Sequence, residues 1–436
     1  MSKGTLSQDL YAKLLNEEDA RACKAIDEDA CKEVPGNFLW LVLSQFLTKL
    51  GDALGNPKVV LPAVMEAVSA PLYLLGFLVP IRESGSMMPQ LLIAGFVRRL
   101  PIRKHVWVVG SLLQALCMML IALVAWQLEG AAAGWSIIGL LVLFSLSRGL
   151  CSVAAKDVLG KTIPKTQRGR VNGWSASVAG LVTLLAGAWF VLANGEGDMS
   201  GASFGVLLSL AGLLWILAAL TYSQIREFPG ETDGGVNGIT EAFKRLDILR
   251  TDSAFRLFVI TRSLFLCSAL SAPYYVVLAQ RAQDNSPALL GLFIIASGAA
   301  GLISGPFWGR FADLSSRSVM TLAALMSSLA GIIVWAIATW FPQWLDIFWL
   351  IPLCYFALSI AHQGVRVGRK TFVVDMAEGN RRTDYVAVSN TVIGIVLLIM
   401  GFTGALSVAV PISTIILILC LMGLAGVVLS LRLPDV

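Results

Sequence analysis

Charge is scarce in this sequence: 14% of its 436 residues are Asp, Glu, Lys or Arg, against 56% hydrophobic. The mean hydropathy of +0.76 excludes a water-soluble domain, which has no core large enough to bury so much apolar surface. Histidine is scarcer still. His105 and His362 are the two present, and neither has a nucleophile arrangement around it, so an enzyme is not expected. The seven cysteines make no disulfide framework: Cys117, Cys151, Cys267, Cys354 and Cys420 lie in apolar stretches, as small hydrophobes do. Cys23 and Cys31 fall in a polar segment at a spacing that matches no zinc pattern. No cleavable leader is expected, because residues 1–36 are polar and mostly acidic. Gly160-Lys161-Thr162 looks like the end of a phosphate loop, but the glycine required five residues earlier is alanine at position 155. That excludes an ATP-driven device and leaves a gradient as the energy source. No metal or organic cofactor is implied.

What the sequence has is long apolar runs. A spanning helix needs about 20 such residues. Val106 to Leu128, Met199 to Ile225, Asn285 to Gly309 and Ser318 to Leu345 each supply an uncharged run of that length. Tyr385 to Leu431 is too long for one span and divides at Pro411. Adding helices with an isolated charge predicts twelve spans. The period-2 alternation of a membrane barrel is absent, so helices are expected throughout.

The runs also repeat. Gly95 and Gly309 stand 214 positions apart, and the same offset pairs Arg103 with Arg317, Lys156 with Lys370, Ser175 with Ser389 and Gly187 with Gly401. A shift of 216 brings Ala53-Leu54 and Pro57 onto Ala269-Leu270 and Pro273. A chain built twice from one hydrophobic template predicts two six-helix bundles around a shared site, as in membrane transporters. The division expected is a tail over 1–36, bundles over 37–225 and 257–436, and a linker over 226–256.

Lysine and arginine in short loops set orientation. Arg98, Arg99, Arg103 and Lys104 fall in one even-numbered loop, and Lys156, Lys161, Lys165, Arg168 and Arg170 in the next. Arg366, Arg369, Lys370, Arg381 and Arg382 form the counterpart in the second half, whereas the opposite side offers only Lys58 and Arg281. Both termini are therefore expected in the cytoplasm, and the lack of targeting segments suits a bacterial inner membrane. The linker is read as a surface tether with a helical segment from Ile239 to Leu249, and a short amphipathic helix is possible around Leu10, Leu14 and Leu15.

The loop Gly309-Arg310-Phe311-Ala312-Asp313-Leu314-Ser315-Ser316-Arg317 resembles the signature of the major facilitator superfamily, Gly-x-x-x-Asp with a basic residue four positions on. The resemblance implies an all-α membrane protein of twelve transmembrane helices in two pseudo-symmetric six-helix bundles. It also implies a conformational gate at Gly309, Asp313 and Arg317, with a first-half copy at Gly95, Arg99 and Arg103. That copy has Arg99 where the aspartate belongs. Arg148 is similar to the arginine of proton-coupled drug exporters. Cys151-Ser152 replaces their usual Gln-Gly, and no proline occurs from Val171 to Ala193, where they carry a Gly-Pro signature. Sugar-porter motifs are absent.

An ionisable group at mid-membrane costs about 2.5–3.5 kcal/mol on insertion scales, so each one needs a reason. Lys49 and Asp52 lie three residues apart on one helix face; they either neutralise each other or, with Gln45 and Asn56, form a polar stripe facing a wet cavity. Arg82 and Glu83 point about 100° apart and must seek other helices. Pro80, Ser84-Gly85-Ser86 and Pro89 weaken their helix, which reads either as a binding site or as a structural kink. The pairings expected are Arg82 with Asp52, and Glu83 with Lys49 or Arg148. Arg148 corresponds to His362 under the 214 offset, and His362 reads either as a proton relay or as a neutral structural histidine. Gln363 and Tyr274-Tyr275 are candidates to add polar and aromatic surface. In the resembled fold, helices one, four, seven and ten line the cavity.

Lys49, Arg82, Arg148 and Arg262 outnumber Asp52 and Glu83, and paired arginine donors suit carboxylate and phosphate. The leading expectation is a proton-coupled secondary transporter of a small anionic or zwitterionic organic solute. Its expected site is Lys49, Asp52, Asn56, Arg82, Glu83, Arg148, Arg262, His362 and Gln363. Its expected partners are that solute, a proton or other coupling ion, and the lipid bilayer, with no nucleic acid and a monomeric state. Two alternatives stand: an exporter of amphipathic drugs or lipid flippase, and a transport-dead receptor or scaffold.

Overall fold

The computed structural model describes residues 32–89, 93, 96–97, 99–193, 201–230, 232, 246–283, 286–312, 314–376 and 380–434. Among them no strand occurs. The first half contains α1 (Val34–Leu54), α2 (Val60–Ala67), α3 (Leu75–Met87), α4 (Lys104–Gln127), α5 (Gly130–Thr162), α6 (Lys165–Ala193) and α7 (Gly201–Ser223). The second contains α8 (Ile248–Thr251), α9 (Ser253–Leu264), α10 (Cys267–Leu270), α11 (Ala272–Ala282), α12 (Pro287–Ala312), α13 (Ser316–Trp340), α14 (Leu350–Asp375), α15 (Asn380–Gly401) and α16 (Ile412–Ser430). With α1–α2 and α9–α11 each joined end to end and the four-residue α8 set aside, these make twelve rods among the described residues. Nine are long and apolar enough to cross a membrane among the described residues. The other three hold Lys49 and Asp52 (α1), Arg82 and Glu83 (α3), or the basic start of α6. The long last run divides as expected, with Pro411 preceding α16 as its cap.

Two expectations about charge need correction. Lys156 and Lys161 ride on α5, and Arg366, Arg369 and Lys370 on α14, rather than in loops. These helices run 33 and 26 residues, and helical hydrogen bonding continues beyond the apolar stretch that defined the span. Lys58, expected in a loop between spans, sits at a non-helical corner within the first rod. Pro57 has no N–H, and a residue preceding proline avoids the helical region, so α1 ends at Leu54. The Asn56 carbonyl accepts from the N–H groups of Val59, Val60 and Leu61 at 3.3, 2.9 and 3.0 Å, and its side-chain Oδ1 accepts from the backbone N–H of Lys58 at 2.8 Å. The chain then continues as α2. The matching corner in the other half falls at Ser271, with Pro273 in the first turn of α11. The expected helix around Leu10 lies outside the described residues, as does most of the segment from Ile239 to Leu249.

Trp215 of α7 organises the first bundle. It is fully buried, stands edge-on to Phe144 of α5 at 5.1 Å, and covers Gly51 of α1, where an added Cβ would come within 3.3 Å of its ring. The halves meet where α3 packs on α15 and α6 on α12. Small residues bring these backbones together: a Cβ at Gly76 would sit 2.5 Å from the Gly401 carbonyl. Outward faces are apolar, with Leu192, Val206 and Val428 exposed as lipid-facing positions require.

One end of the molecule is sealed. There α2 packs against α11, and the Arg281 guanidinium donates to both Glu66 oxygens at 2.7 and 3.1 Å. Phe77 meets Phe402 edge-on at 5.2 Å beside this ion pair's end of the bundle, where Tyr73 and Gly404 also touch.

Candidate binding cavity

Beneath that seal lies a cavity of about 940 Å³ between the halves. The corner in the first rod gives it Asn56 and Lys58, just past Lys49 and Asp52 of α1. Arg82 and Glu83 enter from α3 and Arg148 from α5, while α14 supplies His362, Gln363 and Arg366. Lys49, Asp52, Asn56, Arg82, Glu83, Arg148, His362 and Gln363 are thus brought together.

Arg262 stands apart from the large cavity. It is 6% exposed and donates to Ser389 and, at 2.9 Å, to Asn390, joining α9 to α15. Tyr274 and Tyr275 are also elsewhere: both are fully buried in the apolar core, where lipid-like packing claims their rings, and the aromatic wall is Tyr355.

Two polar groupings fill the cavity. In the first, Asp52 accepts from Arg82 at 3.1 Å and from Arg148, drawing α1, α3 and α5 together. Arg148 also donates to the buried Gln114 at 3.5 Å, and Arg82 lies 5.0 Å over the Phe144 ring, a cation–π contact. The expected Arg82–Asp52 pair is present.

The second grouping crosses the halves. Glu83 has Lys58 at 3.9 Å, in place of the expected Lys49 or Arg148. The Lys58 ammonium also lies 2.8 Å from His362 Nε2. An ammonium has only donors, so this nitrogen accepts and the ring proton sits on Nδ1. Nδ1–H then donates to Ser268 Oγ at 3.1 Å, and that hydroxyl donates onward to the Phe265 carbonyl at 3.0 Å. Every atom in the relay has a consistent role. Lys58 is absent from the expected site, although Asn56-Pro57 marks a broken helix and broken helices mark sites.

The expected gate residues are only partly within the described residues. Gly95 and Asp313 lie outside the described residues. Arg99 is exposed, Gly309 lies on α12, and Arg317 donates to the Leu433 carbonyl at 2.8 Å. Arg103 pairs with Asp157 of α5 at 3.1 Å. Glu227, unremarked in the sequence, anchors this region: its carboxylate accepts from the Arg103 and Lys104 N–H groups at 2.9 and 2.7 Å and meets the Lys161 ammonium at 2.9 Å. It thereby caps the N-terminus of α4, where a negative charge is favoured.

Several solved structures share this architecture. The xylose transporter XylE from E. coli, in an inward-open conformation, superposes with a TM-score of 0.66 at 10% identity, over 92% of this chain and 97% of that one. The nucleoside transporter NupG gives 0.68 at 13% identity, over 91% and 99%. A POT family transporter in complex with 5-aminolevulinic acid gives 0.68 at 11% identity, over 90% and 94%. At such identities the likeness is one of fold. No curated protein matches the sequence significantly. The model of the Major Facilitator Superfamily, however, matches residues 41–328, well over half of the chain. The repeated helices, the cavity between the halves and this match together place the protein in the Major Facilitator Superfamily, as a multi-pass membrane protein and secondary transporter.

Proposed function

We propose that the protein moves a small anionic or zwitterionic organic solute by alternating access, coupled to protons. The observation that carries this reading is the charge balance of the cavity. Lys49, Lys58, Arg82, Arg148 and Arg366 line it against Asp52 and Glu83. Asp52 is shared by two arginines and Glu83 faces Lys58, while Arg366 makes no ion pair among the described residues. A carboxylate or phosphate meets that surplus, since guanidinium offers paired donors to it. Lys49, Arg82 and Arg148 hold the solute or counter the acids, and protons enter through Asp52, Glu83 or His362.

With the basic even-numbered side in the cytoplasm, both termini are cytoplasmic and the Glu66–Arg281 seal faces outward. The state described is then closed to the exterior. Bundles over 37–225 and 257–436 would rock about the cavity, joined by the linker over 226–256, in a monomer of a bacterial inner membrane.

Uptake of a radiolabelled organic-acid panel into proteoliposomes under a pH gradient tests this. The panel includes 5-aminolevulinic acid, which one fold neighbour binds. Saturable, uncoupler-sensitive uptake that falls in Arg148→Ala is the expected result. A panel that leaves Arg148→Ala as active as wild type would count against the reading.

A further inference from the structure

Behind the large cavity lies a niche of about 20 Å³, enough for one water-sized centre. The two spaces share Glu83, Ser268, His362 and Arg366, and the niche adds Arg262 and Arg369. Three guanidiniums therefore surround it against one carboxylate, and that carboxylate already faces Lys58. Two of the three have a bond to spare. Arg262 Nε and Arg369 Nε are buried and hydrogen-bond to nothing among the described residues. Arg262 is 6% exposed and its outer nitrogens are already committed to Ser389 and Asn390, so its fork cannot swing away to find water. A buried donor left without an acceptor is costly, and a buried surplus of positive charge costs more. His362 adds no acceptor, since Lys58 occupies its Nε2 and its Nδ1 proton goes to Ser268.

We propose that this niche is an anion subsite, holding one halide-sized anionic centre between Arg262, Arg366 and Arg369. Its size excludes a whole organic solute, so the group bound is either a free chloride ion or one carboxylate end of the transported molecule. The second source rests on the function proposed above; the first does not. In both cases the anion links α9 to α14 and offsets the charge facing Glu83.

The test uses the purified full-length protein in nanodiscs, with thermal unfolding followed during titration of chloride against methanesulfonate at constant ionic strength. A second titration uses formate. Saturable stabilisation by chloride is expected, weakened about tenfold or more in Arg369→Gln and unchanged in Arg281→Gln, as loss of one charged donor set implies. Bromide should scatter anomalously between Arg262 and Arg369 in the unmutated protein, a readout that survives if Arg369→Gln fails to fold. Stabilisation by formate but not chloride assigns the niche to the solute's carboxylate. No saturation by either anion, or an equal response in Arg369→Gln and Arg281→Gln, overturns the proposal. Because binding is read without transport, an inactive uptake assay would sink the proposed function and leave this result standing.

Discussion

Lys58 and His362 belong to opposite halves of the chain, yet their nitrogens lie 2.8 Å apart at the wall of the central cavity. The contact exists because the first rod breaks at Asn56-Pro57 and presents Lys58 inward. Protonating His362 would remove the lone pair that accepts from Lys58 and set two cations against each other, with Arg366 and Arg369 nearby and Glu83 as the counter-charge. Acid should therefore part the halves at this level. Spin-label distances between the bundles are expected to lengthen as pH falls, and His362→Gln, which keeps an acceptor but cannot titrate, should flatten that response. An unaltered pH response in His362→Gln would refute the role.

Asp52 neutralises two arginines at once, so replacing it is worse than replacing either of them. Asp52→Asn leaves Arg82 and Arg148 facing one another, an expected loss of about 1–3 kcal/mol for a partly exposed cluster. Adding Arg148→Gln should recover part of that loss. Thermal unfolding of the four proteins in a double-mutant cycle measures it, and strict additivity would show that the residues do not interact.

Glu227 and Glu33 provide a matched contrast. The Glu227 side chain is 0% exposed beside Lys161, whereas Arg226, the partner of Glu33, is 71% exposed. Glu227→Gln should cost about 2–3 kcal/mol, because charged hydrogen bonds to two N–H groups and an ammonium are weakened together. Arg226→Ala should fall within about 1 kcal/mol of wild type. Unfolding midpoints of both variants settle the comparison.

The Glu66–Arg281 pair seals one end, so Arg281→Ala should admit reagents from that end with little loss of stability. A cysteine placed at Asn56 is expected to react faster with an impermeant maleimide in the Arg281→Ala background. Equal labelling rates in both backgrounds would mean that packing around Phe402, and not the ion pair, keeps the end shut.

Gly404 tests the opposite state. A Cβ there would come 2.1 Å from the Tyr73 carbonyl, a distance no real contact tolerates. Gly404→Val should hold the seal open, abolishing uptake while leaving expression near wild type. Retained uptake would show that Tyr73, just ahead of α3, and the stretch after α15 need not touch.

Much of the fold was legible because lipid as a solvent imposes long apolar runs, and a duplicated chain shows the pattern twice. Pro411 marked where the last long run divides, and the Pro57–Pro273 correspondence marked the shared template of the first helix in each half, though not the corner that both prolines make. The charged positions were legible as well, since each is anomalous in its apolar surroundings. Their partners were less so. Hydropathy carries depth but not azimuth, and it carries nothing across the two halves, so Glu83 was matched with Lys49 or Arg148 when Lys58 is its neighbour. Lys58 itself was lost because five non-helical residues resemble the end of a span. Arg369 was lost for the reverse reason: α14 stays helical well past its apolar stretch.

The corner at Asn56 also divides the first rod into pieces of unequal duty. The eight residues of α2 form an arm about 12 Å long, at 1.5 Å per residue. A swing of about 10° at its base carries the tip about 2 Å, enough to sever bonds as short as those joining Glu66 to Arg281. Unlocking that sealed end therefore asks little of the bulk of either bundle, because one small pivot at Asn56 is enough to release it.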